Sequence, residues 1–246
     1  MLNFFKCVLF LFFVIFIMII AFYLHMPDPK DFKGKNPEKT AFMQIRMNEA
    51  RVKGKKMFIS HKYVPYSKIN QDLKDAVRIS EDGGFFFHNG FDFGEIKESI
   101  ITNIKKRKFK RGGSTITQQL AKNFYLSSEK SILRKIEEAF LTCKIEKQLS
   151  KQRIFDLYLN YIEFGDGVFG VQSACLKYFK KSASKISIFE SARLASIIPN
   201  PRKWNPNHPT KRLKNRTKIL LTRMYKFKKI SKKEYDKALK EFERFF

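Results

Sequence analysis

Three carboxylates and a histidine crowd into one short stretch: Glu81, Asp82, His88 and Asp92, set among Phe85, Phe86, Phe87 and Phe91. A carboxylate against aromatic rings loses hydration. Its pKa rises and it becomes a better base. The same residues could also be a solvated helix end followed by a Gly83-Gly84 turn. A second stretch runs Arg111-Gly112-Gly113-Ser114-Thr115-Ile116-Thr117-Gln118-Gln119-Leu120-Ala121-Lys122-Asn123. A glycine pair before Ser and Thr reads as a loop entering a capped helix, whose free N–H groups can receive phosphate or sugar oxygens. No Gly-Lys-Ser/Thr closes it, so it is not a nucleotide P-loop. A third stretch holds Lys130, Arg134 and Glu138, which share one face of a helix at i, i+4 and i+8. Two cations and an acid on one stripe could hold a pyrophosphate, or simply form a salt-bridged surface. The basic run 105–111 (Lys-Lys-Arg-Lys-Phe-Lys-Arg) suits nucleic acid, anionic lipid heads or plain solvent.

The elements that must position these residues are mainly helical. Asp72–Ile79 is a short amphipathic stretch. Ile132, Ile136, Phe140 and Cys143 recur at helical spacing, and Ile154, Leu157, Tyr158 and Tyr161 continue it. Ser187/Glu190 and Ser231/Glu234 are capping-box patterns that open two later helices. Lys56–Val64 is the best strand candidate. Residues 1–6 precede Cys7–Leu24, 18 consecutive apolar residues, about the length that crosses a bilayer. No small-x-small cleavage site follows, so this segment reads as an uncleaved signal anchor at 7–24. Residues 25–45 read as a juxtamembrane linker and 46–246 as one catalytic-sized domain. The lysines on either side of the apolar run do not by themselves place the domain outside.

Lys and Arg total 50 against 23 Asp and Glu, a formal net charge of +27. Such a surface attracts polyanions. A sequence rich in Lys, Phe and Ile with only 11 Gly also fits plain AT-rich codon bias, so charge alone does not choose the partner. Cys7, Cys143 and Cys175 form no CxxC and read as small apolar residues. No HExxH or other metal-ligand spacing is present.

Taken in order, these segments resemble glycosyltransferase family 51, the peptidoglycan glycosyltransferases. Residues 81–92 meet the pattern Glu-Asp-x-x-Phe-x-x-His-x-Gly-x-Asp. Residues 112–123 meet Gly-Gly-Ser-Thr-Ile-Thr-Gln-Gln with Lys-Asn after it. Arg134, Lys135 and Glu138 meet Arg-Lys-x-x-Glu. Tyr158-Leu159-Asn160 with Phe164-Gly165-x-Gly167, and Glu190-Ser191-Ala192-x-Leu194-Ala195 with Pro199 and Pro201, look like two further motifs. Five ordered motifs across roughly residues 60–206 make a highly specific match.

The resemblance implies a mainly α, lysozyme-like fold with a head lobe and a membrane-contacting jaw. It implies lipid II and the growing glycan strand as substrates, joined by a β-1,4 bond with inversion as polyprenyl pyrophosphate leaves. It assigns Glu81 as general base and Glu138 as the second acid. It assigns substrate contacts to Asp82, Phe85, His88, Ser114, Thr115, Gln118, Gln119, Lys122, Asn123, Lys130, Arg134, Lys135 and Asn160. Lys130 stands where the family usually has Arg. Lysine keeps the charge and loses the bidentate fork, which implies weaker donor binding. No metal ligand set is assigned, although the resemblance implies that Mg²⁺ or Mn²⁺ can stimulate. It further implies a monofunctional enzyme of the bacterial inner membrane, single-pass, with a periplasmic domain, other cell-wall or division proteins as partners, and no nucleic acid. A silent lipid II-binding module and a lysozyme-like lytic enzyme are the alternatives.

Overall fold

A computed structural model describes residues 2–105, 112–127, 129 and 131–246. In chain order the elements are α1 (Leu2–His25), α2 (Ala41–Val52), β1 (Ser60–His61), α3 (Gln71–Glu81), α4 (Phe93–Lys105), α5 (Ile116–Tyr125), α6 (Ile132–Gln148), α7 (Lys151–Tyr161), β2 (Glu163–Gly165), β3 (Val168–Phe169), α8 (Val171–Phe179), α9 (Ile188–Ile197), α10 (Lys211–Lys226) and α11 (Lys232–Phe245). The fold is mainly α, behind one apolar N-terminal helix. The basic residues 106–111 and Lys130 fall outside the described residues.

Helices α9 and α7 are the spine. Phe189 and every residue from Ser191 to Ile197 are buried in α9, as are Ile154 to Tyr161 in α7. Both helices are covered on nearly every side, and their buried Asp156, Asn160 and Arg193 are hydrogen-bonded. Helix α3 presents Leu73, Ala76 and Val77 to α9 and α10, which also pack on each other. Helix α5 packs on α6 and α7. Both expected capping boxes form, at Ser187/Glu190 and Ser231/Glu234, and a third forms at Thr115/Gln118. Strand structure is smaller than Lys56–Val64 would allow. Only Ser60–His61 pairs, parallel to β3, while β2 pairs antiparallel to β3.

Three features differ from the reading of the sequence. The apolar stripe of α6 does not face the core. Ile132 is 81% exposed, and the buried face is Glu138, Leu141, Thr142 and Ile145. The stripe instead lines an outward groove of about 400 Å³, formed by Ile132, Lys135, Ile136, Ala139, Phe140 and Cys143. Cys143 is therefore exposed, and only Cys175 is a buried small residue. Third, α4 carries no periodic signal that singled it out, yet it forms a 13-residue helix.

The apolar segment Phe4–His25 has mean hydropathy 3.1 and none of it is buried against the domain. Its end is docked all the same. Phe22 and Tyr23 meet Phe140 edge-on, and Lys144 donates to Met26 O at 2.6 Å. Residues 25–45 are tied down as well: Arg153 donates to Phe32 O at 2.7 Å and Tyr161 to Pro37 O at 2.8 Å.

Candidate active site

Glu81 ends α3 and is half-buried. The surrounding protein strips water from its carboxyl and pushes its pKa above the usual carboxylate range. Hydrogen bonds from Gln119 and Ser80, and the charge of Arg216, oppose that rise. Gln119 Nε2 donates to Glu81 Oε2 at 3.1 Å, and Tyr158 donates its O–H to Gln119 Oε1 at 3.0 Å. Tyr158 thereby fixes which end of the amide faces Glu81. Its own hydroxyl is held protonated, first by burial and then by Glu81 and Asp82. Among the described residues no cation forms an ion pair with Glu81.

Glu138 is buried on α6 but answered by cations. Arg134 Nη1 donates to it at 2.8 Å, and Lys135 Nζ makes a short bond to its other oxygen. Lys122, one turn beyond Gln119 on α5, lies in the field of both acids. Burial lowers its pKa first, and Glu138 and Glu81 raise it while Arg134 and Lys135 lower it. Glu81, Gln119, Lys122, Arg134, Lys135 and Glu138 are thus one electrostatic unit, brought together by α3, α5 and α6.

Other expected site residues brace this unit. Asp82 is buried, takes His88 Nε2 at 3.0 Å, and takes the N–H of Ile116 at 3.0 Å. A carboxylate at the first N–H of α5 also matches the helix dipole. Thr115 and Gln118 are engaged in the α5 capping box, and Thr115 Oγ1 donates to Gly90 O at 2.6 Å. Gly90 is required there: its φ is +90°, and a Cβ would stand 2.7 Å from Thr142 Cγ2. Phe85 is fully buried against Phe86 and Phe155, so it holds the loop and has no face open to a ligand. Asn160 is fully buried too. Its amide is engaged with Val64 N and O and with Asp156, which leaves nothing to offer a substrate. Asn123 is buried on α5 and Ser114 is exposed at its entrance.

Asp82, His88 and Asp92 bring three potential ligand atoms within 4.8 Å of one another. Asp82 is already engaged by His88 and Ile116, and Asp92 Oδ1 takes the N–H of Glu95 at 2.9 Å. His88 Nδ1 is buried without a hydrogen-bond partner. The trio fits a hydrogen-bonded brace.

Sequence reasoning missed Ser80, Arg216 and the orienting role of Tyr158. Tyr158 could have been suspected from its place two residues before Asn160. Nothing in the sequence ties Arg216, 135 positions on, to Glu81.

A helical domain that sets a desolvated carboxyl beside a cation cluster has the groups that acid–base chemistry on an anionic substrate would use. Comparison with known proteins narrows this. The transglycosylase family model matches residues 51–225. A biosynthetic peptidoglycan transglycosylase of Thiobacillus denitrificans is 45% identical over 188 residues, covering 76% of this chain and 81% of that protein. One from Nitrosospira multiformis is 41% identical over 216 residues, covering 88% and 94%. A solved structure, penicillin-binding protein 1A from Haemophilus influenzae, matches 74% of this chain and 18% of its own, at 24% identity and TM-score 0.42. That last likeness is too slight to carry argument. The chain belongs to the transglycosylase family, and it is an enzyme.

Proposed function

We propose that this chain polymerises lipid II into β-1,4-linked glycan strands, with Glu81 as general base. The observation that carries the reading is the contrast in charge between Glu81 and the cations around Glu138. One half-buried carboxyl is held by neutral donors, while the next turns carry Lys122, Arg134 and Lys135. Glu81 takes the proton from the acceptor sugar's 4-hydroxyl, which is a poor nucleophile until a base accepts it. The oxygen attacks the anomeric carbon of the donor, and the configuration inverts. Pyrophosphate leaves as charge builds on it, and the fixed cations stabilise that charge. Glu138 keeps Arg134 and Lys135 aligned for this task. Lys130 adds a charge without a fork.

The membrane reading rests on α1 and on exposed apolar side chains nearby. Phe87 is 91% exposed, and Phe93, Ile104, Ile132 and Leu133 are exposed as well. We read α4 to α6 as the jaw that meets the bilayer, with α1 spanning it once and the domain on the periplasmic face. Other cell-wall proteins are expected partners.

The test is polymerisation of lipid II by the detergent-solubilised full chain, with Glu81→Gln beside it. Glycan ladders that vanish in the variant support the reading. Ladders that persist move the base elsewhere. No ladders from either protein, with lipid II still bound, would make the chain a silent binding module, and soluble fragments released from cell wall would make it a lytic enzyme.

A further inference from the structure

Glu81 poses a physical problem for its assigned role. A base must be ionised to accept a proton, yet burial opposes ionisation here. Its close partners, Ser80 and Gln119, are neutral. The groups that face it from the surrounding elements are few. Asp82 follows it on α3 and disfavours its charge. Lys122 on α5 lies in its field. Tyr158 on α7 stays protonated, and α9 offers the carbonyls of Ala195, to Ser80, and Ser196, to Arg216. From α10 comes Arg216.

Geometry sets Arg216 in place by a route that includes Glu81's own neighbour. Ser80 Oγ lies 3.1 Å from Glu81 Oε1 and 3.5 Å from Ala195 O, with one proton to share between them. Arg216 Nε donates to the next carbonyl, Ser196 O, at 3.1 Å. The two residues therefore clasp adjacent carbonyls at the end of α9. Trp204 lies under the guanidinium, 5.6 Å from ring centre to Cζ, and Arg212 lies over the same indole at 4.8 Å. Thr217, the next residue, is buried and donates to Ser196 Oγ at 3.3 Å, which fixes the turn of α10 that carries Arg216. No ion pair joins Arg216 to Glu81 among the described residues; each carboxylate oxygen takes one hydrogen bond, from Ser80 and from Gln119, and the Arg216 charge adds to their effect.

We infer that Arg216 is a positioning residue for Glu81, a fixed cation held beside the base by the carbonyl next to the one that Ser80 reaches, without pairing with the carboxylate. This rests on the assignment of Glu81 as base. Burial lowers the pKa of Arg216 itself, and Glu81 raises it in return. Arginine still keeps its charge across the working pH range, where a buried lysine would be at risk. Arg212 and Arg223 face Arg216 and do not act on Glu81 in the same way.

The experiment is the pH–rate profile of lipid II polymerisation by the full chain. Wild type, Arg216→Gln, Arg216→Lys, Arg212→Gln and Glu81→Gln are compared, with thermal melting to verify folding. Removing the cation should move the acid limb upward in pH. At the low end, Arg216→Gln should lose about threefold or more relative to its own plateau, and Arg212→Gln should keep the wild-type limb. Arg216→Lys keeps the charge but loses the anchor to Ser196, and its limb should fall between wild type and Gln. An Arg216→Gln limb at the wild-type position overturns the inference, whether or not the overall rate falls. If that variant does not fold, Arg216→Met, neutral and of similar length, decides, and an unmoved limb there overturns it. Activity surviving in Glu81→Gln would defeat the assignment of the base itself, a separate result from an unmoved limb.

Discussion

Two glutamates act on the same lysine, Lys122, and their surroundings could hardly differ more. Glu138 on α6 is 3% exposed and holds Arg134 and Lys135. Glu81 on α3 is more open, with no ion-pair partner among the described residues, and accepts from an amide and a hydroxyl. Both oxygens of the Glu138 carboxylate are taken by cations, one each. A poorly hydrated carboxylate with neutral donors accepts a proton more readily than one in water. In the proposed mechanism one sequence motif supplies the proton acceptor and the other supplies charge, and the packing differs on each side. Helix α3 sits in the core against α9 and α10. Helix α6 turns its apolar stripe outward and presents its charged turn to α5.

The hardest test of this contrast is loss of each acid in turn. Glu81→Gln should lower polymerisation by about 10²–10⁴-fold, the usual contribution of a general base, and leave lipid II binding near wild type. If Glu138→Gln gives the larger loss and Glu81→Gln turns over normally, the two roles must be exchanged.

Stability separates them further. Glu138→Gln leaves Arg134, whose side chain is 15% exposed, without its counter-charge. An orphaned buried charge is expensive, but Lys135 is half exposed and solvent will screen its share. A loss of about 1–3 kcal/mol is expected, read as a lower denaturant midpoint. A variant as stable as wild type would mean that the cluster is organised by something other than Glu138.

Lys122 links the two acids, and its pH response sharpens the comparison. Burial lowers its pKa, so it loses charge at a lower pH than an ordinary lysine. The alkaline limb of activity should reflect that loss. Lys122→Arg cannot discharge, so its limb should move upward while activity falls by about tenfold or less. An alkaline limb unchanged in Lys122→Arg would place the limiting proton elsewhere.

Much of this was legible in the chain. The paired motifs named Glu81, Gln119, Lys122, Arg134 and Glu138 because each lies within a short run of residues whose types are distinctive together. The capping boxes at Ser187 and Ser231 were equally local, and both form. What escaped was tertiary. Asn160 and Phe85 sit inside site motifs, yet only the packing reveals that one is hydrogen-bonded shut and the other is core. The stripe of α6 has core periodicity but faces outward, since period alone does not say what a face meets. Arg216 reaches Glu81 only because α10 folds back on α3, and no spacing rule could announce that.

The smallest expected effect is the most discriminating. Burial raises the folded-state pKa of Glu81 above its unfolded value, so in the folded protein its ionised form is the disfavoured one. Below the unfolded pKa, about 4.3, both states carry the proton and no penalty applies. As pH rises through the folded value, the fold must hold a poorly hydrated charge, and stability is lost toward neutrality. Glutamine never ionises. Glu81→Gln should therefore be more stable than wild type near pH 7.5, by about 0.5–2 kcal/mol, the usual gain when a functional strain is removed. The gain should shrink as the buffer is taken down toward pH 4. Melting both proteins across that range checks it, with Glu138→Gln expected to move the opposite way at neutral pH. A Glu81→Gln protein less stable than wild type at neutral pH would mean that its neighbours more than offset the burial, and Glu81 would then resemble the clamped acid it is contrasted with.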